Sequence, residues 1–182
     1  MPSVKTLFVL FTLTSILSIN AGGNLTMNKN ANRITRTYTQ HLKGTPSQVF
    51  PLLCPVREYE WIEHWKCDLV FTESGVAEKD CIFKTDFHND GPEKIWVVTT
   101  YIPNEKIEFI VTSPNQVIRF GITLISDNNG GTIAEWKQIV TALNESGEKY
   151  IAELTEEKYA EEKKNLEGIL NYFLTTNKMY KQ

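Results

Sequence analysis

The chain has 182 residues and a formal net charge of −3; 41% of its residues are hydrophobic and 23% are charged. This composition is ordinary for one globular domain, with enough chain to form a core and a cavity. It provides no basic surface for nucleic acid or anionic lipid, and no apolar run is long enough to span a bilayer, so neither nucleic-acid binding nor stable membrane insertion is expected.

The first 21 residues have the layout of a signal peptide. Lys5 precedes the apolar-rich segment 7–19, and Ala21 is a small residue at a suitable cleavage point. A start at Met27 is the alternative, because it would leave the following domain intact. We therefore expect export, to the periplasm or outside the cell, if Met1 is the true start, and a cytoplasmic protein if Met27 is.

The domain is predicted to begin with a half-buried strand and two short helices. In Arg33–Leu42 the residues Ile34, Tyr38 and Leu42 share one face. Thr45 is a good N-cap, and the proline after it suits the first helical position, so a short helix is predicted over 46–53. A second short helix is predicted over 56–65, with its two tryptophans on one face.

A series of strands follows, separated by turns rich in Gly, Pro, Asn and Asp. Alternation of apolar and polar residues predicts strands at 67–72, 80–87, 94–101, Lys106–Thr112, 117–126 and 132–143. The loop 127–131, Asp-Asn-Asn-Gly-Gly, is the strongest hairpin signal in the chain. The strands follow one another without intervening helices, so the sheet is expected to be antiparallel with helices on one face.

The pattern becomes helical from residue 155 to about 178. An apolar stripe consists of Tyr159, Leu166, Ile169, Leu170 and Phe173, and the charged residues Glu156, Glu157, Glu161, Lys163 and Lys164 are assigned to the solvent face. Gly168 interrupts the pattern. It indicates either a close approach of another element to the backbone or a tolerated substitution.

This order of elements resembles the helix-grip fold of the START-like, or SRPBCC, superfamily. The resemblance is carried by Gly-Thr-Pro-Ser-Gln-Val-Phe-Pro-Leu-Leu-Cys-Pro at 44–55, Glu-Trp-Ile-Glu-His-Trp at 60–65, Cys-Ile-Phe-Lys-Thr at 81–85 and Trp-Val-Val at 96–98, which are similar to a bacterial, polyketide cyclase-like branch. It covers about residues 33–176. It implies an α+β domain, placed at 33–178, in which a curved antiparallel sheet of about seven strands wraps around a long C-terminal helix and leaves an apolar cavity.

Motifs for hydrolysis, phosphate binding and metal binding are missing from the sequence. The three cysteines, Cys54, Cys67 and Cys81, are an odd number and do not indicate a disulfide framework. Their spacings to His64 and His88 do not match paired zinc ligands. We therefore assign no catalytic residue, metal or cofactor from the sequence.

The aromatic residues are the best indication of a site. As a group they exceed what a thin core of one sheet and one helix needs, although each alone is more typical of core packing than of a site. Tyr38 and Gln138 are inward-facing polar residues that could orient a ligand, and Trp61 and Trp65 could line an entrance. The expected ligand-binding residues are Tyr38, Trp61, Trp65, Phe83, Phe87, Trp96, Phe109, Phe120, Trp136, Gln138 and Phe173.

The expected function is the binding or carrying of a small hydrophobic molecule, lipid-like or aromatic, between the sheet and the C-terminal helix. Two alternatives remain at this point. One is a pocket enzyme of cyclase or dehydratase type, and the other is a protein-interaction module that uses the outer face of the sheet. Nothing in the sequence indicates an oligomeric state.

Overall fold

The structure, a computed structural model, describes residues 32–86 and 92–181. The expected leader 1–21, the alternative start Met27 and the predicted site residue Phe87 lie outside the described residues. Seven strands occur within the described ranges: β1 Arg33–Leu42, β2 Asp68–Phe71, β3 Ile82–Thr85, β4 Lys94–Ile102, β5 Lys106–Thr112, β6 Gln116–Ser126 and β7 Thr132–Ala142.

All seven strands form one antiparallel sheet in the order β1-β7-β6-β5-β4-β3-β2. Strands β2 to β7 form a meander, and β1 pairs with β7, so the first and last strands of the chain are neighbours. The long C-terminal helix, α4 (Glu156–Thr176), packs against β1 and closes the inner face. The predicted helix-grip α+β fold is confirmed.

The helices after β1 are shorter than predicted. Helix α1 (Pro46–Val49) continues as a 3-10 turn (Phe50–Leu53), so this segment ends where the sequence predicted. The predicted helix over 56–65 is wrong in length, because α2 (Pro55–Glu58) has only four residues. The chain continues in turns up to residue 64, where His64 takes a φ of 61°. Trp61 and Trp65 therefore do not share a helix face.

One helix was not predicted. Helix α3 (Glu145–Glu153) begins at Asn144, whose side chain accepts a hydrogen bond from the Gly147 amide at 3.1 Å. A Cβ atom on Gly147 would lie 2.1 Å from the backbone oxygen of Asn115, so only glycine fits at this position. The glycine that weakens the sequence signal for this helix is thus required by close packing of its first turn.

Gly168 in α4 has no such constraint. A Cβ atom at this position would meet nothing within 4 Å, which excludes close approach as the reason for the glycine. We expect Gly168→Ala to raise the free energy of unfolding by about 1 kcal/mol, because alanine has the higher helix propensity. Urea denaturation would measure the change. A loss of stability would show that α4 differs from the conformation described.

The core lies on the inner face of the sheet and beneath α4. The alternation expected from the sequence is observed in β5, where Ile107, Phe109 and Val111 are buried, and in β7, where Trp136 and Val140 are buried. Among the described residues, no helix is long and apolar enough to cross a membrane.

Candidate functional site

A cavity of about 290 Å³ lies between the inner face of the sheet, the segment that contains α2, and α4. Each strand from β3 to β7 contributes at least one side chain to its wall. Helix α4 contributes two side chains, and the segment from residue 53 to 65 contributes five. The lining residues are Leu53, Pro55, Glu58, Ile62, Trp65, Phe83, Trp96, Phe109, Phe120, Ile122, Trp136, Lys163 and Leu166.

Aromatic rings form a continuous wall across the sheet. Phe83 stacks on Trp96 with ring centroids 5.4 Å apart, and these residues are direct partners in the β3–β4 register. Phe109 stacks on Phe120 at 5.9 Å, again between direct partners, and Phe120 contacts Trp136 at 5.3 Å. The wall follows from the period of two along each strand, which directs alternate side chains to the inner face.

Hydrogen bonds hold the three indole rings of the cavity in place. The Nε1 atom of Trp96 donates to Thr85 Oγ1 at 2.9 Å, and that of Trp65 donates to the backbone oxygen of Pro55 at 2.8 Å. The Nε1 atom of Trp136 donates to Gln40 Oε1 at 2.7 Å. With these N–H groups already paired, the rings present mainly carbon surface to the cavity.

Two ionisable side chains interrupt this apolar lining. Glu58 is the last residue of α2, Lys163 lies in the first half of α4, and both are partly buried. Burial raises the pKa of Glu58 to about 8, although the positive charge of Lys163 acts in the opposite direction. Burial lowers the pKa of Lys163, and Glu162 and Glu58 partly oppose this change. At neutral pH, Glu58 is therefore mostly a neutral acid.

The Lys163 ammonium group lies over three aromatic rings. Its Nζ atom is 5.0 Å from the centroid of Trp136, 5.6 Å from that of Phe120 and 5.1 Å from that of Tyr159. At these distances the ring faces attract a cation. The assignment of Lys163 to the solvent face of the C-terminal helix was therefore wrong.

Gln40 connects the aromatic wall to α4. It is fully buried in β1, and while its Oε1 atom accepts from Trp136, its Nε2 atom donates to the backbone oxygen of Lys163 at 2.6 Å. One amide side chain thus fixes both a ring of the cavity and the helical turn that carries Lys163. This residue positions the site without lining it.

The structure brings six of the predicted site residues to the cavity: Trp65, Phe83, Trp96, Phe109, Phe120 and Trp136. Four others do not line it. Trp61 is a core residue, 1% exposed, whose Nε1 atom donates to the backbone oxygen of Leu52; Gln138 and Phe173 are buried elsewhere in the core, and Tyr38 packs at the edge of the core. The predicted contacts of these four residues with a ligand therefore lie outside the lining of this cavity.

Sequence reasoning missed Glu58, Lys163 and Gln40. A signal existed for two of them. Lys163 lies four residues after Tyr159 and three before Leu166, which places it within the apolar stripe of α4. Gln40 has the same strand parity as Tyr38 and Leu42, so it is a polar residue on an inward face. Nothing comparable pointed to Glu58.

The cysteines are not part of this site. Cys54 and Cys81 are buried and Cys67 is partly buried; all three are free thiols. Burial raises the pKa of Cys81 and of Cys67, which makes these thiols less reactive. Within residues 32–86 and 92–181 no group of three or more His, Cys, Asp or Glu side chains is arranged to hold a metal ion.

No family model matches the sequence, and no curated protein matches it. Solved structures match its fold. A protein from Mycobacterium smegmatis is similar with a TM-score of 0.55 and 12% identity over 78% of this chain and 91% of that chain. DynU16, a protein from the dynemicin biosynthetic locus, is similar with a TM-score of 0.54 and 17% identity over 79% of this chain and 48% of that chain.

A norcoclaurine synthase from Thalictrum, solved in complex with a transition-state analogue, is similar with a TM-score of 0.53 and 7% identity over 68% of this chain and 84% of that chain. At identities this low the likenesses establish a shared fold. They do not establish a shared activity, because one fold carries many unrelated sites.

Proposed function

We propose that this protein binds a small, largely aromatic molecule in the cavity between its sheet and α4. The observation that carries the proposal is the wall of five stacked or edge-packed rings, Phe83, Trp96, Phe109, Phe120 and Trp136, around about 290 Å³ of space. Apolar area removed from water at such a wall supplies the affinity, at about 25 cal/mol per Å².

The size and shape of the cavity restrict the class of ligand that it can hold. Ligand pockets commonly measure roughly 300–1,000 Å³, so a cavity of about 290 Å³ is at the small end of this range. It suits a molecule of one or two rings better than a lipid with two long acyl chains. The stacked rings favour a planar ligand, because a flat molecule can extend the offset stacking that they already make.

The test uses an uncharged apolar fluorescent probe and a pair of phenylalanine variants. Phe120→Ala removes a partly buried ring from the cavity wall and is expected to weaken probe binding by about tenfold or more. Phe173→Ala is the matched control, since Phe173 is a buried ring of α4 that does not line the cavity. It is expected to lower thermal stability while probe affinity stays close to that of the wild type.

Equal probe affinity in the wild type and Phe120→Ala would contradict the proposal. An equal loss of probe affinity in Phe120→Ala and Phe173→Ala would contradict it as well. Native mass spectrometry of the gently purified protein, followed by extraction with organic solvent, would identify the occupant directly. A reproducible bound mass of one small molecule supports the proposal.

A pocket enzyme of cyclase or dehydratase type is the second candidate. The observation that favours it is the presence of a neutral acid, Glu58, and an amine of lowered pKa, Lys163, in one apolar cavity. A protonated carboxyl group can donate a proton to a ligand, and a lysine of lowered pKa is a better proton-transfer group than an ordinary lysine. Gln138 and Tyr38, which the sequence suggested for this role, do not line the cavity.

The extracted occupant, supplied again to the protein and followed by NMR, would distinguish a carrier from an enzyme. Conversion that Glu58→Gln abolishes, while binding persists, would establish the enzyme. If the occupant stayed chemically unchanged with both the wild type and the variant, the protein would be a carrier and not an enzyme. The remaining alternative is docking of a protein on the outer sheet face, where Lys106 and Arg119 both pair with Glu108.

A further inference from the structure

The described lining of the cavity contains one cation, Lys163, whose ammonium group makes no ion pair with the described residues. Lys163 Nζ points toward three rings, and no ion pair or hydrogen bond holds this ammonium group among the residues that the structure describes. Aromatic faces attract a cation but leave its N–H groups without acceptors. A partly buried ammonium group in this condition is costly unless a ligand supplies the acceptor.

Glu58 does not supply the missing charge at neutral pH. It is the single carboxyl group in the lining of the cavity as described, and its pKa of about 8 keeps it mostly protonated. Glu162, the other carboxylate that acts on Lys163, is exposed and does not line the cavity. The described lining therefore has one positive charge and one neutral acid, together with apolar and aromatic side chains.

We propose that the ligand of this cavity is an aromatic monoanion, such as an aromatic carboxylate, whose negative group pairs with the Lys163 ammonium group while its rings lie against the aromatic wall. This inference rests on the proposed function, since it names the class of ligand that the same cavity takes. The protonated Glu58 carboxyl is an additional donor to an oxygen of the ligand.

Gln40 preorganises the surroundings of Lys163 in the absence of a ligand. Its hydrogen bond to the backbone oxygen of Lys163 fixes the helical turn, and its bond to Trp136 fixes a ring beneath the ammonium group. A cation held in place loses little conformational freedom on binding, which favours a charged ligand of the correct shape.

The experiment compares two ligands of nearly the same shape that differ in charge. Calorimetric titration of the full chain with 1-naphthoate and with its neutral analogue 1-naphthamide is carried out at about pH 6.5, where naphthoate is ionised and Glu58 is protonated. We expect naphthoate to bind the wild type about tenfold to a hundredfold more tightly than naphthamide, the range of a charge-assisted hydrogen bond.

Lys163→Met keeps the length of the aliphatic side chain and removes the charge. We expect this variant to lose the preference for naphthoate while its affinity for naphthamide stays within about twofold of the wild-type value. Retained naphthamide binding also shows that the variant is folded and that its cavity is intact.

Three results would overturn the inference, each in a distinguishable way. Equal affinity of the wild type for both ligands would remove the anion preference and leave the proposed function standing. A preference that survives in Lys163→Met would show that another group recognises the anion. If the wild type bound neither ligand, the proposed function would fall together with the inference.

Discussion

Replacing Gln40 with leucine is expected to lower the free energy of unfolding by about 2–3 kcal/mol, although leucine has a similar volume and fits an apolar core. The substitution leaves the buried Nε1 atom of Trp136 without an acceptor and removes the hydrogen bond to the backbone oxygen of Lys163. A buried donor without a partner costs more than an average hydrogen bond contributes. Urea denaturation at neutral pH measures the change.

Tyr159→Phe is the matched control for Gln40→Leu. Tyr159 is 1% exposed and lies in α4 beside Lys163, but its hydroxyl group has no hydrogen-bond partner among the described residues. Removing this group therefore costs nothing in hydrogen bonding, and stability is expected to stay equal or to rise by up to about 1 kcal/mol. Unchanged stability of Gln40→Leu would contradict the prediction, because it would show that the two hydrogen bonds of Gln40 contribute nothing beyond packing.

The fold could be predicted closely because strand alternation and turn residues are both local signals. Strands β5, β6 and β7 begin and end within one residue of the predicted positions, since Pro103-Asn104, Pro114-Asn115 and the loop 127–131 delimit them. The same alternation identified the aromatic wall. Phe109, Phe120 and Trp136 lie on inward faces in the sequence and line the cavity in the structure.

The predictions about helices were less accurate, because tertiary contacts decide where these helices begin and end. The sequence suggested one face for Trp61 and Trp65, but α2 ends at Glu58 and the backbone continues in turns. Helix α3 was missed because Gly147 lowers helix propensity. The reason for that glycine is the backbone of Asn115, which is distant in sequence and could not be anticipated.

The polar part of the site was missed for a different physical reason. Charged residues on a helix are assigned to solvent by default, because burying a charge is costly. Lys163 departs from this rule, since aromatic faces and the long aliphatic stem offset part of the cost. A polar residue within an apolar stripe, such as Lys163 or Gln40, is therefore a more useful indication of a site than another aromatic residue.

Glu58→Gln is expected to change how stability depends on pH. The folded-state pKa of Glu58 is about 8, against 4.5 as its ordinary value, so between these pH values the folded protein retains a proton that the unfolded chain releases. Wild-type stability therefore decreases as pH rises through this window, and glutamine removes that contribution. As pH rises from about 5 to about 8, the free energy of unfolding of the variant is expected to increase by about 1–3 kcal/mol relative to that of the wild type. This is less than the full effect of the pKa shift, because Glu58 is only partly buried.

The interpretation of this pH dependence must take into account the groups that interact with Glu58. Lys163 acts on it from α4, and Glu58 in turn helps to raise the pKa of Cys67 in the segment before β2. Glu161→Gln, which removes an exposed carboxylate from α4, serves as the control for the loss of a carboxyl group elsewhere in the protein. If the stability difference between Glu58→Gln and the wild type did not change between about pH 5 and pH 8, Glu58 would be ionised in the folded protein. The cavity would then hold a balanced pair of charges at neutral pH, and its preference for an anionic ligand would no longer follow.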